Sequence, residues 1–351
     1  MSFIRKPKII HPNSPRNDLG LTVRDYEGGM STLCAGCGHD SVTGAIVQAA
    51  FELSIEPHRM AKLSGIGCSS KTPAYFLSQS HGFNTVHGRM PSVATGANAA
   101  NHDLTYIGVS GDGDSLSIGF GQLCHALRRN VNMLYVIENN GVYGLTKGQF
   151  SASADLGSTA KKGAPNQQPP IDPCRLAISM GAGFVARSFS GDKEQLIPLL
   201  KAGLMYKGFA IIDVISPCVT FNDHQGSTKS YEYTREHYHP ATQADYVPPA
   251  EEIVAKYREG EVMPVELHDG SHIMLRKLDA DYDLTDRAAV YEYLERHQQA
   301  GEIVTGMLYC DDSLEEMHDI SQVCKEPLAT IAHTELCPGN DALQVLQNGY
   351  R

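Results

Sequence analysis

Two short turns, each placed to leave a buried strand, constrain this chain more than any other feature. Thr105–Ser110 mixes β-branched and aromatic residues and reads as a buried strand, and Gly111-Asp112-Gly113 turns out of it. Leu116–Leu127 has helical spacing. Met133–Glu138 is a second buried strand, followed by Asn139-Asn140-Gly141. A strand, a helix and a strand at this spacing form a crossover unit whose strands run parallel. The fold class is therefore expected to be α/β with a parallel sheet. The 28 residues from Asp112 to Asn140 bring both turns to one carboxyl edge, where open α/β sheets bind ligands.

Either turn alone is commonplace; the pair at this separation has a chemistry. Gly111 and Gly113 let backbone N–H groups approach phosphate oxygens, and a helix N-terminus behind them adds positive dipole. Asp112 supplies a hard anionic oxygen, Asn140 an amide oxygen and Val142 a backbone carbonyl, a donor set suited to Mg²⁺. A diphosphate held through a divalent cation is the expected ligand, as in a thiamine diphosphate half-site.

The cysteines form a second pattern. Cys34-x2-Cys37 frames a tight turn, while Cys68 and Cys218 come from separate loops. Four thiolates suit either Zn²⁺ or a [4Fe–4S] cluster. The absence of a second Cys-x2-Cys, and the nearby diphosphate motif, favour the cluster. Cys124, Cys174, Cys310, Cys324 and Cys337 have no ligand spacing and read as core or incidental. His39 is read as a helix-start or packing residue, and His224 likewise.

The chain has nine Cys and a net charge of −11, from 40 acidic and 29 basic residues. An odd cysteine count without signal-peptide features argues against a disulfide framework. The acidic balance argues against a nucleic-acid partner. No apolar run reaches membrane-spanning length, and Met1–Pro7 has no apolar stretch behind its basic residues, so a cytoplasmic location is expected. Further helices are expected at His39–Leu53, Val93–Asn101, Cys174–Met180, Lys193–Leu204 and Asp286–His297. Strands are expected at Phe184–Ala186, Phe209–Ile215, Ile273–Lys277 and Ile303–Tyr309. Residues 58–66 are read as leading into a turn, residues 151–173 as a mobile loop, and residues 231–265 as a polar stretch punctuated by Val247-Pro248-Pro249. Three regions are expected: an arm over 1–30, a cofactor-binding domain over 31–235, and a C-terminal extension over 236–351 that contacts another subunit.

The motifs Cys34–His39, Gly65–Lys71, His87–Arg89, Gly111–Asp114, Asn139–Gln149 and Ser216–Cys218 interleave in one order. Over residues 25–235 the chain resembles the β subunit of a 2-oxoacid:ferredoxin oxidoreductase, of the 2-oxoglutarate type. The resemblance implies a thiamine-diphosphate-binding fold. It also implies oxidative decarboxylation of a 2-oxo acid to acyl-CoA and CO₂, with electrons passing through one [4Fe–4S] cluster on Cys34, Cys37, Cys68 and Cys218 to ferredoxin. The cofactor set it implies is Gly67, Cys68, Ser69, His87, Gly88, Arg89, Gly111, Asp112, Gly113, Asp114, Asn140, Val142, Gly144 and Leu145. Lys71 and Lys147 are candidates for the substrate carboxylate, and Thr146 and Gln149 for hydrogen bonds to substrate or CoA. The glutamate that activates the aminopyrimidine ring comes from an α subunit in this family, so the chain alone is expected to be inactive and to work as an α₂β₂ heterotetramer. Pyruvate or indolepyruvate as substrate, a non-redox thiamine enzyme, and a scaffold with structural zinc are the rival readings.

Overall fold

The computed structural model describes residues 9–158, 164–219, 252–268 and 270–350. His224 and Val247-Pro248-Pro249 lie outside the described residues, as does Met1–Pro7. Strands β1 (Met60–Ser64), β2 (His81–Asn84), β3 (Thr105–Gly111), β4 (Met133–Asn139), β7 (Phe184–Phe189) and β8 (Phe209–Ile215) run parallel in the order β2-β1-β3-β4-β8-β7. The expected β3-helix-β4 crossover is present, with Ile107 opposite Leu134 and Gly111 opposite Glu138.

Side chains alternate across the sheet with the two-residue period of a strand. On β4, Met133, Tyr135 and Ile137 join one buried cluster, and Leu134 and Val136 the other. The first cluster is closed by α2 (Met90–Ala100), α3 (Phe120–Arg128), α4 (Pro173–Ser179) and α6 (Arg287–Gln299). The second is closed by α1 (Gly38–Glu52) and α5 (Lys193–Met205). Strands buried on both faces read as continuous apolar runs, which is why β4 and β8 stand out in the sequence.

Of three differences from expectation, two have physical causes. Residues 58–66 contain β1, every residue of which is buried; Lys62 disguises it by donating to Phe76 O at 2.6 Å and Leu77 O at 2.9 Å. The helix after the Gly-Asp-Gly turn is broken in two, one turn of π-helix at Gly113–Ile118 and then α3. The described parts of the 151–173 loop are tied together by Asn166, whose amide donates to the carbonyls of Ala154, Asp155 and Gln168.

The C-terminal segment continues the same sheet. β11 (Glu302–Cys310) pairs antiparallel with β7, β10 (His272–Lys277) pairs parallel with β11, and β9 (Val262–Glu266) pairs antiparallel with β10. Val290 and Leu294 of α6 pack in the same core as α2 and α3. The outer strands among the described residues are β2, wholly exposed, and β9, which carries Pro264. The tail ends in α7 (Met317–Ser321), α8 (His333–Leu336) and α9 (Asn340–Asn348). On α9, Leu343, Val345 and Leu346 are exposed.

Candidate active site

The carboxyl ends of β3 and β4 frame a small cavity of about 60 Å³. Gly67, Cys68, Ser69, His87, Gly111, Asp112, Gly113, Asp114, Asn140, Val142, Gly144, Leu145 and Thr146 line it. Four stretches far apart in sequence therefore meet at one place, as the motif pattern requires. Gly88, Arg89, Lys71, Lys147 and Gln149 are not on its wall. Arg89 is exposed and begins α2. Lys71 stands near Cys68 instead, where its charge acts to lower that thiol's pKa. Lys147 sits exposed at the tip of the short hairpin of β5 (Val142–Tyr143) and β6 (Gln149–Phe150), with φ +81°. Thr146 donates to Gln149 Oε1 at 2.6 Å across that tip, so each already occupies the other.

Asp112 is 1% exposed, and burial raises its carboxyl above the usual range. Its Oδ2 accepts the hydroxyls of Ser151 and, at 2.6 Å, Ser153. Its Oδ1 accepts only a long bond, from Asn140 N–H at 3.4 Å. None of these partners is cationic, and a buried carboxylate with neutral partners alone is of the type that could ligate a divalent cation. Asn140 Oδ1 accepts Val142 N–H at 3.1 Å, which holds that amide oxygen and the Val142 backbone at one turn.

Asp114 acts as a strut. Its Oδ1 accepts Gly88 N–H at 2.8 Å and its Oδ2 the Ser110 hydroxyl at 2.8 Å, which ties the His87–Arg89 turn to the Gly-Asp-Gly turn. Protein packing also explains Gly113: a Cβ there would stand 2.6 Å from the Tyr143 ring.

Two of the sulfurs lie beside Gly144. A Cβ on Gly144 would lie 3.5 Å from Cys68 Sγ and 3.7 Å from Cys218 Sγ. Burial raises the pKa of the Cys37 thiol, and Cys218 adds to it; burial also raises Cys68, with Cys218 and Cys34 adding to it. Cys218 is thus within electrostatic reach of Cys37 and Cys68, and Cys34 of Cys68. Among the described residues no three His, Cys, Asp or Glu side chains already form a metal cage. Thiols held protonated in this way must release protons to bind a metal or a cluster.

Three side chains between the cysteines and the diphosphate turn escaped the sequence reading. His39 does start α1 and is 1% exposed, but its ring also lines the cavity. Its Nδ1 lies 2.6 Å from Ser216 Oγ and 3.5 Å from Glu138 Oε2. Its Nε2 lies 3.5 Å from Asn140 Nδ2. Burial pushes His39 down to about 4 and raises Glu138 well above its ordinary value, so both shifts favour the uncharged form. Thr72 donates to Glu138, with oxygens at 3.0 and 3.2 Å. An acidic residue closing an otherwise apolar strand was the available signal for Glu138.

A larger cavity, about 630 Å³, lies past Asn140 and Val142 and is lined by Asp172, Arg187, Asp213, Cys218 and residues of β10 and β11. It borders the motif residues without containing the Gly-Asp-Gly turn, so size does not mark the diphosphate site here.

Comparison with known proteins agrees with this geometry. The family of the thiamine pyrophosphate enzyme C-terminal TPP binding domain matches residues 65–214. The chain is 44% identical over 191 residues to the 2-oxoacid:ferredoxin oxidoreductase subunit beta of Saccharolobus solfataricus, covering 54% of this chain and 63% of that protein. It is 38% identical over 191 residues to the 2-oxoglutarate synthase subunit KorB of Methanocaldococcus jannaschii, covering 54% of this chain and 69% of that protein. The match thus spans less than two thirds of the Saccharolobus relative's length. A solved 2-oxoglutarate:ferredoxin oxidoreductase from Magnetococcus marinus, with 2-oxoglutarate, coenzyme A and succinyl-CoA bound, superposes with TM-score 0.69 at 28% identity, covering 93% of this chain and 95% of that one.

Proposed function

The chain belongs to the 2-oxoacid:ferredoxin oxidoreductase β-subunit family, and from that premise we propose that it oxidatively decarboxylates a 2-oxo acid, 2-oxoglutarate in first place, to acyl-CoA and CO₂ together with an α subunit. Electrons leave through a [4Fe–4S] cluster to ferredoxin. The observation that carries this reading is Gly144: it lines the small cleft together with Cys68 and the Gly-Asp-Gly turn, and a Cβ there would lie 3.5 Å from Cys68 Sγ and 3.7 Å from Cys218 Sγ. A binding site for an electron donor and a nest of thiols share one wall. The names of the Methanocaldococcus and Magnetococcus proteins support 2-oxoglutarate.

The residues present fit the groups implied. Asp112, Asn140 and the Val142 carbonyl would hold Mg²⁺, and Cys34, Cys37, Cys68 and Cys218 would hold the cluster. Thiamine diphosphate, when bound, supplies the nucleophilic carbon and electron sink for loss of CO₂, and the cluster carries electrons away. The protein's part is placement. Ser151 and Ser153 orient Asp112, and Asp114 fixes the His87–Arg89 turn. His39 and Glu138 line the cleft in contact with each other and, through His39, with Asn140. The exposed apolar residues of α9 support subunit contact by the C-terminal region in an α₂β₂ assembly.

The test is iron and acid-labile sulfide analysis of anaerobically purified protein, with low-temperature EPR before and after dithionite. About four iron and four sulfide per chain, with a signal on reduction, is the expected result. Zinc in their place rejects the electron-transfer reading. Ferredoxin reduction by the reconstituted αβ complex, compared across 2-oxoglutarate, pyruvate and indolepyruvate, assigns the substrate.

A further inference from the structure

A chain of buried polar contacts runs across the carboxyl ends of four neighbouring strands and stops at Asp112. At its far end Arg187, on β7, donates from Nη2 to Asp172 Oδ1 at 2.7 Å and from Nε to Asp213 Oδ2 at 2.8 Å. Asp213, on β8, accepts at Oδ1 from Asn139 Nδ2 at 3.0 Å. Asn139, at the end of β4, has its Oδ1 3.0 Å from Ser153 Oγ. Ser153 reaches Asp112 Oδ2 at 2.6 Å, at the end of β3. Ser151 makes the second hydroxyl contact to the same oxygen and lies 3.1 Å from Ser153 Oγ. Arg187, Asp213, Ser151 and Asp112 are all buried.

The contacts are lopsided. Both hydroxyls approach Oδ2, while Oδ1 takes no side-chain donor among the described residues and a long bond from Asn140 N–H. The single Ser153 proton is shared between Asp112 Oδ2 and Asn139 Oδ1, yet an oxygen crowded by two hydroxyls has less room for a hard cation than its partner oxygen. The hydroxyls also fix the carboxylate's rotation, because two donors from one side leave one orientation.

We propose that Ser151 and Ser153 are positioning residues that fix Asp112 as a one-oxygen metal ligand through Oδ1, with Asn139, Asp213 and Arg187 anchoring Ser153 to the sheet. The inference rests on the reading of Asp112 as a ligand of the diphosphate-bound cation. Partners of this kind around metal ligands change affinity by about 10- to 100-fold when removed.

The experiment uses the assembled αβ complex, stripped of metal, with saturating thiamine diphosphate and Mn²⁺ as the probe. Free Mn²⁺ is counted by its room-temperature EPR signal, so the readout is a dissociation constant and needs no turnover. Ser151→Ala and Ser153→Ala are each expected to raise the Mn²⁺ dissociation constant about tenfold, and the double variant up to about 100-fold. Ser153→Thr, which keeps a hydroxyl, is expected to stay near wild type and guards against a mere packing defect. A double variant that binds Mn²⁺ as tightly as wild type overturns the proposal while leaving Asp112 as ligand intact. A wild-type complex that binds no Mn²⁺ with the cofactor present overturns both the proposal and the reading beneath it.

Discussion

Replacing Arg187 with Met should destabilise the chain by about 3–5 kcal/mol near neutral pH, the usual cost of removing one partner from a buried ion pair. The structure says where that cost falls. Asp172 keeps two backbone donors without the arginine, the N–H groups of Cys174 and Arg175 at the start of α4. Asp213, 1% exposed, keeps only the Asn139 amide. The penalty is therefore mostly that of one stranded carboxylate, and it should depend on pH. Burial already raises Asp213 above its ordinary value while Arg187 holds it down; without Arg187 the folded pKa rises further. A carboxyl whose folded pKa exceeds its unfolded one costs nothing below the unfolded value, and costs more as pH rises through the folded one. The deficit of Arg187→Met relative to wild type should thus shrink from pH 7.5 to pH 5. Urea unfolding at both pH values measures it. In Arg187→Met/Asp213→Asn most of the loss should return, because the neutral amide oxygen still accepts from Asn139. A deficit that is the same at both pH values, or that persists in the double variant, would refute the assignment of the cost to Asp213.

Three further outcomes follow from single contacts. Gly113→Ala should weaken thiamine diphosphate binding about tenfold, from overpacking worth about 1–3 kcal/mol against the Tyr143 ring; adding Tyr143→Ala should restore it, and a double variant as weak as the single would locate the need for glycine at the phosphate instead. Cys218→Ser should bring iron and sulfide from about four each to near zero, while Cys124→Ser leaves them unchanged; iron retained in Cys218→Ser would remove Cys218 from the ligand set. Thr72→Val strips Glu138 of both side-chain hydrogen bonds and should lower the unfolding free energy by about 1–3 kcal/mol, read from urea midpoints; an unchanged midpoint would show that Glu138 does not depend on Thr72.

What the sequence disclosed was whatever repeats a local rule. β3, β4 and β8 were legible because a doubly covered parallel strand is a short apolar run bounded by turn residues. The Gly-Asp-Gly and Asn-Asn-Gly turns were legible because each follows such a run. β1 was hidden by Lys62, whose charged end leaves the strand's pattern but finds two carbonyls in three dimensions. β9 was hidden inside a polar stretch, because an outer strand with Val262, Met263 and Val265 among Pro264 and Glu266 has little apolar signature. Asp112, Asn140 and Cys68, which line the cavity, could be named from spacing. His39, Glu138 and Ser153 could not, because their roles come from partners 101, 66 and 41 residues away. Lys71 and Lys147 show the converse: loop membership near a motif did not place them on the cavity wall.

The two outer strands deserve a last consequence. β2 is only four residues long, and Pro264 removes one backbone donor from β9. Among the described residues, neither border of the sheet offers the long unbroken row of N–H and C=O groups that recruits another strand. Copies of the chain are thereby discouraged from stacking sideways into filaments. Assembly is left to side chains, which can distinguish one protein surface from another, instead of to backbone, which cannot.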